Sequence, residues 1–429
     1  MRKKSFLGIA LVVVFAVVVG TNALAQTTAW EVHNLTTWAD AHYGITQGGD
    51  GETHIITVSG NVTIPPTAMF TNTFGNVRDI TVIMQGAGTI SISGNGSLLR
   101  IGNGQTVIVG DLTLQGRNGN NASVVRVERN GTFHMKGSAS VTGNHNSLSG
   151  GGIFVASGGT LIMQDNSRVC SNVTNASGGG VVIQGVNVRG GGGSFIMKDN
   201  ARVENNTANS PGGGVLIGNN TTFTMKGGAI SGNTVNRGRI GSGGGGLLID
   251  GNGLFTMYNG AISENTVAGG NAWGGGVFGN FTMHNGTISN NIVSGGGEVR
   301  GGGVNGRVTM YGGTISGNTV IASRWGAGGG VFGGLIMHGG TISGNTVRPA
   351  DGVDADRITA TGGGVHVGSF TKTGGTIYGN YAAAGLGNIV NGGRGHAVYR
   401  NVFGSPNTWR NATAGPNDNS TRLDFWLNE

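Results

Sequence analysis

The sequence predicts an all-β chain wound as a single-stranded parallel β-helix, a solenoid of about 27-residue coils with a cap at each end. Three landmarks carry that expectation. Methionine recurs at Met135, Met163, Met197, Met225, Met257, Met283, Met310 and Met337, with Lys372 in the next slot. An asparagine follows eight or nine residues later each time, at Asn144, Asn172, Asn206, Asn233, Asn265, Asn291, Asn318, Asn345 and Asn380. A glycine cluster then leads into an aliphatic residue, as in Gly212-Gly213-Gly214-Val215 and Gly328-Gly329-Gly330-Val331. Compositional drift in a glycine-rich chain would not keep three landmarks in one order over nine copies, whereas stacked coils require it.

Taken from the start, Arg2, Lys3 and Lys4 precede an apolar run from Phe6 to Val19, and Ala23-Leu24-Ala25 precedes Gln26. This is the pattern of a signal peptide over 1–25, with an apolar run too short to span a bilayer. It points to a secreted or cell-surface protein, the periplasm being the other destination. Residues 26–79 are expected to form an N-terminal cap, with a short helix over Trp30–Tyr43 and a first strand over His54–Ile64. Coils then occupy 80–400, the earliest at Ile80–Ile92 and Val107–Leu114. Residues 401–429, with Trp409, Phe425 and Trp426, form the C-terminal cap.

Within one coil, Phe255-Thr256-Met257 and Phe281-Thr282-Met283 alternate apolar and polar residues at the period of a strand with one buried face. Ala261-Ile262-Ser263 and Thr314-Ile315-Ser316 are short β-branched segments bounded by glycine pairs. Helical repeats are excluded, because glycine at this density costs about 1 kcal/mol at each helix-interior position. Three short strands per coil result. Stacking in register places Met225, Met257, Met283, Met310 and Met337 in one apolar column. Asn233, Asn265, Asn291, Asn318 and Asn345 form another, in which side-chain amides bond up the stack and the asparagines themselves take the tight bend.

Composition narrows function mainly by exclusion. The single cysteine, Cys170, rules out an intramolecular disulfide. The formal charge of +7 falls to +4 without the three basic residues of the signal, too weak and diffuse for nucleic acid. No segment after the signal is apolar enough to span a membrane.

These coils resemble the right-handed parallel β-helix, or pectate-lyase-like, superfamily, and VIVGDLTLQG (107–116) is similar to its early turns. The order Ile262-x-x-Asn265 then Gly274–Val277 also resembles the repeats of polymorphic outer-membrane and autotransporter passenger proteins. The resemblance covers about residues 80 to 400 and implies a right-handed helix on a secreted or surface bacterial protein. Members include enzymes and adhesins, so it does not select a function. About thirty residues after the last coil are too few for the membrane barrel that ends an autotransporter.

Catalysis on this fold would need clustered carboxylates for hydrolysis or Ca²⁺-assisted elimination. Asp165, Asp199, Glu204, Asp250, Glu264 and Glu298 are expected to lie at different phases of the coil. No NTD or RIK motif is present, and Gly395-His396-Ala397 is a faint echo of GHG. Asp351, Asp354 and Asp356 form the one acidic loop, a weak candidate for a hard cation, with Arg348 and Arg357 as flanking neutralisers. No cofactor is implied. The column after each methionine, which reads Lys226, Tyr258, His284, Tyr311, His338 and Thr373, is expected to be a solvated outward stripe.

Between the asparagine and the glycine cluster the later coils lengthen: 236–242, 268–274, 294–300, 321–327 and 348–361. Insertions confined to one corner mark the binding face of a solenoid, and these carry Trp273, Arg300, Arg324, Trp325, Arg348 and Arg357. The expectation is an adhesin-like binding or structural module for a glycan or an extracellular host protein. A polysaccharide lyase or glycoside hydrolase of the same fold, and a self-associating surface protein, are the alternatives.

Overall fold

The computed structural model describes residues 27–102, 104–187, 191–238, 242–380, 382–401 and 407–418. Residues 1–25, expected as a signal peptide, and Phe425 and Trp426 lie outside them. The described strands form sheets of 22, 12, 10 and 5 strands. Strand pairing is parallel from coil to coil, and among the described residues one antiparallel strand pair joins Val398–Arg400 to Thr408–Arg410. The chain is a parallel β-solenoid, as its periodicity predicts.

Equal letters do become neighbours. Met225, Met257, Met283, Met310 and Met337 are partners in register and fully buried. Each of these methionines is locked to one glycine of the following coil or cap, as Met225 is to Gly260 and Met257 to Gly286. A Cβ added at Gly340, where φ is +89°, would lie 2.5 Å from Cε of Met310. The missing side chain is therefore the seat of the methyl below, which explains the Met-x-x-Gly spacing. Buried phenylalanines stack beside this column, Phe195 on Phe223 at 4.4 Å and Phe223 on Phe255 at 4.9 Å.

The asparagine column is fully buried. Asn291 shows its logic: Oδ1 accepts from Asn265 N at 3.0 Å and Asn265 Nδ2 at 2.9 Å. Its Nδ2 donates to Ile262 O at 3.0 Å and Asn318 Oδ1 at 2.9 Å. Every polar atom of the side chain is satisfied, which is the condition for burying an amide. Two expectations are corrected here. The left-handed backbone falls on the residue before each asparagine from Asn144 to Asn345, with φ of 55° at Ser171, 58° at Glu264 and 66° at Gly317. The last rung is Asn388 rather than Asn380, because Asn345 Nδ2 donates to Asn388 Oδ1 at 2.9 Å.

Coils contain more strands than the expected three. An early coil has four, Ile153–Val155, Thr160–Met163, Arg168–Cys170 and Val173–Thr174. Later coils add a further strand at the corner. Ser242–Gly243, Ala272–Trp273, Glu298–Arg300, Trp325–Ala327 and Thr359–Thr361 pair into the five-stranded sheet. Most of the expected corner loop is thus regular sheet. It encloses a second core around Val267, Val293, Val299, Val320 and Val347.

The ends differ from expectation in detail. Thr27–Val32 is a strand in register with Thr53–Val58, which pairs in turn with Thr81–Gln85, so the solenoid begins before residue 80. The helix is Leu35–Thr46, started by Asn34, whose Oδ1 accepts from Thr37 N at 2.9 Å. The segment His54–Ile64 is two strands, Thr53–Val58 and Asn61–Ile64. At the other end Lys372 stands buried in the methionine column, and its Nζ donates to Gly415 O at 2.5 Å and Asp418 O at 2.9 Å. Burial pushes this ammonium below its usual pKa, with Asp418 opposing. Among the described residues no helix is long and apolar enough to cross a membrane.

Candidate functional site

The five-stranded sheet ends at the glycine triplets, where the chain turns sharply into the strands that begin the next coil. The triplet packs closely: a Cβ on Gly276 would stand 2.7 Å from Gly303 O and 2.9 Å from Asn291 Nδ2. This tight turn brings outward side chains of two sheets together. From the five-stranded side come Trp273 and Arg300, partners in register, and Trp325, the partner of Glu298. From the other side comes the row Phe278, Asn305, Phe332, His366 and Tyr399.

Arg300 is the centre of the patch. Its Cζ lies 4.9 Å from the ring centroids of Trp325 and Phe332 and 5.9 Å from that of Trp273. Nη2 donates to Glu298 Oε2 at 2.7 Å, which orients the guanidinium plane. Trp273 meets Phe278 edge-on at 5.8 Å, and Trp325 meets Phe332 in the same way at 5.8 Å. His366 stacks on Phe332 at 4.9 Å, and its Nδ1 shares a hydrogen bond of 2.7 Å with Thr361 Oγ1. Burial first, and the charge of Arg300 second, push the His366 pKa down to about 4. The two indoles, Arg300 and Phe332 stay partly exposed, so the patch reaches solvent.

Of the six residues singled out by sequence, the structure gathers Trp273, Arg300 and Trp325. Arg324 is exposed beside Trp325. Arg348 pairs with Asp351 at 3.0 Å and Arg357 with Asp354 at 3.5 Å, within the 348–361 segment. Asp351, Asp354 and Asp356 do not converge, and among the described residues no three His, Cys, Asp or Glu side chains could hold a metal. Phe278, Phe332, His366 and Tyr399 escaped notice, although the first three each stand one residue after the valine that follows a glycine triplet.

The stripe after the methionines is outward and exposed as expected. Its rings also stack: Tyr258 on His284 at 4.8 Å, His284 on Tyr311 at 5.1 Å and Tyr311 on His338 at 5.0 Å. The expectation that Asp165 and Asp199 lie at different phases is overturned. They occupy equivalent left-handed turns, with φ of 57° at each, and Asp165 N donates to Asp199 Oδ2 at 3.3 Å. The backbone N–H of Gly137, donating to Oδ2 at 2.8 Å, holds the Asp165 carboxyl below its usual range. The N–H and hydroxyl of Ser138 do the same for Asp111. These carboxylates pin turns together.

No family model, no curated protein and no solved structure matches the chain. The fold therefore stands on the geometry itself.

Proposed function

We propose that this chain is an exported β-helix that works as an adhesin-like binding module, recognising a glycan or an extracellular protein through the Trp–Arg patch of its C-terminal half. The observation that supports it is the Arg300 guanidinium set among Trp273, Trp325 and Phe332 with part of each left in solvent. Arg and Trp are enriched among the residues that dominate interface energies, and a partly exposed indole suits either a sugar ring or an aromatic side chain. Export rests on the basic start and short apolar run of residues 1–25.

The glycan-cleaving alternative asks for a carboxyl kept protonated near a second carboxylate. Asp111 and Asp165 are instead engaged by backbone amides of neighbouring coils, a turn-pinning role for both. Growth into fibres through the ends is disfavoured by the antiparallel strand Thr408–Arg410, which ends the parallel pairing.

A panel of glycans and extracellular-matrix proteins, probed with the mature chain and with Trp273→Ala/Trp325→Ala, tests the reading. The double variant should bind at least about tenfold more weakly to whatever the parent retains, while Tyr311→Ala binds as the parent does. Undiminished binding by the double variant would remove the patch, and silence of the parent on both panels would remove the function.

A further inference from the structure

At the opposite end of the solenoid a groove of about 630 Å³ opens over the early coils. Its floor is the outward column Arg100, Arg126 and Phe154, from three strands in register. One wall is the segment 65–75, which leaves the coil after Asn61–Ile64. It is tied down by Thr67 N donating to Ser97 O at 2.9 Å and Thr73 N donating to Arg100 O at 2.8 Å.

The apolar rim is unusually open to water. Met69 is 71% exposed, Phe70 89% and Leu148 58%. Phe70 also holds φ at 66°, a backbone conformation uncommon for a bulky residue. The polar content converges on one side. Arg100 and Arg126 both engage the single carboxylate of Glu128, which leaves one positive charge in excess. Arg126 also stacks on Phe154, with Cζ 4.3 Å from the ring. Ser97, which lines the groove, is only 3% exposed and its hydroxyl has no hydrogen-bond partner. A volume of this size suits a small ligand, and an enclosed unpaired hydroxyl beside surplus positive charge suits an acidic head group.

We infer that the groove binds a small amphiphile with one carboxylate, of the class of medium-chain fatty acids, the carboxylate on Arg126 and the alkyl chain under Phe70 and Leu148. Nothing in this depends on the Trp–Arg patch.

Calorimetric titration of the mature chain with decanoate, decanol and decyltrimethylammonium tests it. Decanoate should saturate one site and bind about tenfold tighter than decanol, with the cation weaker still. Arg126→Gln should erase the preference for decanoate over decanol. Phe70→Ser, at an exposed position, should weaken decanoate and decanol alike by about fivefold with an unchanged melting temperature, which separates lost contact from lost fold. Equal affinity for decanoate and decanol, absence of a saturable site, or an unaltered preference in Arg126→Gln would overturn the inference. So would capture of an acidic peptide with no response to decanoate.

Discussion

The coils of 141–217 and those of 229–390 share one corner and close it differently. In both, the asparagine column is buried and bonded in the same way, as Asn206 and Asn318 show. Two residues beyond, the early coils place Asn146, Thr174 and Ala208 in register, whereas the later coils place Val235, Val267, Val293, Val320 and Val347. Small or polar residues suffice where the chain passes straight to the glycine cluster. Valine is needed where a further strand must be packed. The comparison teaches that the amide column is self-contained, so a coil acquires an extra strand without altering the corner that precedes it.

The largest effect tests that self-containment. Asn206→Ala and Asn318→Ala each remove a side chain that makes four hydrogen bonds to adjacent coils. Each should cost about 4 kcal/mol, since buried backbone groups lose their partners. Amide hydrogen exchange around each site should report equal losses, and a twofold disparity would break the comparison. Acid gives the next effect. Because the folded-state pKa of His366 is lowered to about 4 from 6.5, its stabilisation is complete above pH 6.5 and declines as pH falls toward 4. The loss approaches roughly 3 kcal/mol. Asp111 and Asp165, lowered below 3.8, keep their contribution until the pH drops beneath that value. Exchange at pH 5 should therefore loosen the C-terminal coils first, and His366→Phe should abolish that order.

Val320→Ala, in the second core, should cost about 2 kcal/mol and accelerate exchange in 292–360 while leaving 141–217 unchanged. Spread of the effect into the early half would show that the two cores are coupled. Tyr311→Ala, on the exposed stacked row, should cost about 1 kcal/mol or less in thermal unfolding.

The column of methionines and the column of asparagines were legible because one phase carries one letter through many coils, and register turns recurrence into contact. Ser171 and Glu264 hid the left-handed turn, since neither letter signals it. Asn380 stood at the expected spacing, yet the longer connection before Ile389–Val390 delays the rung to Asn388. The extra sheet was illegible as sheet because its strands are two or three residues long and mixed in type, as in Ala272–Trp273 and Trp325–Ala327. Trp273, Arg300 and Trp325 were found by residue type and position, while their aromatic partners lie across a glycine turn that letters alone do not fold. The early groove joins the segment 65–75 to coils that follow it in sequence, a contact no periodicity announces.

The seating of each methionine methyl in the next glycine makes coils interchangeable. Residues 311–337 carry every feature needed to sit on a neighbour and to be sat upon, so tandem copying of that stretch would add a storey to the tower without a misfit. Because that stretch includes Trp325 and Phe332, each added storey would lengthen the column by one equal step and extend the aromatic row beside Arg300 by one rung.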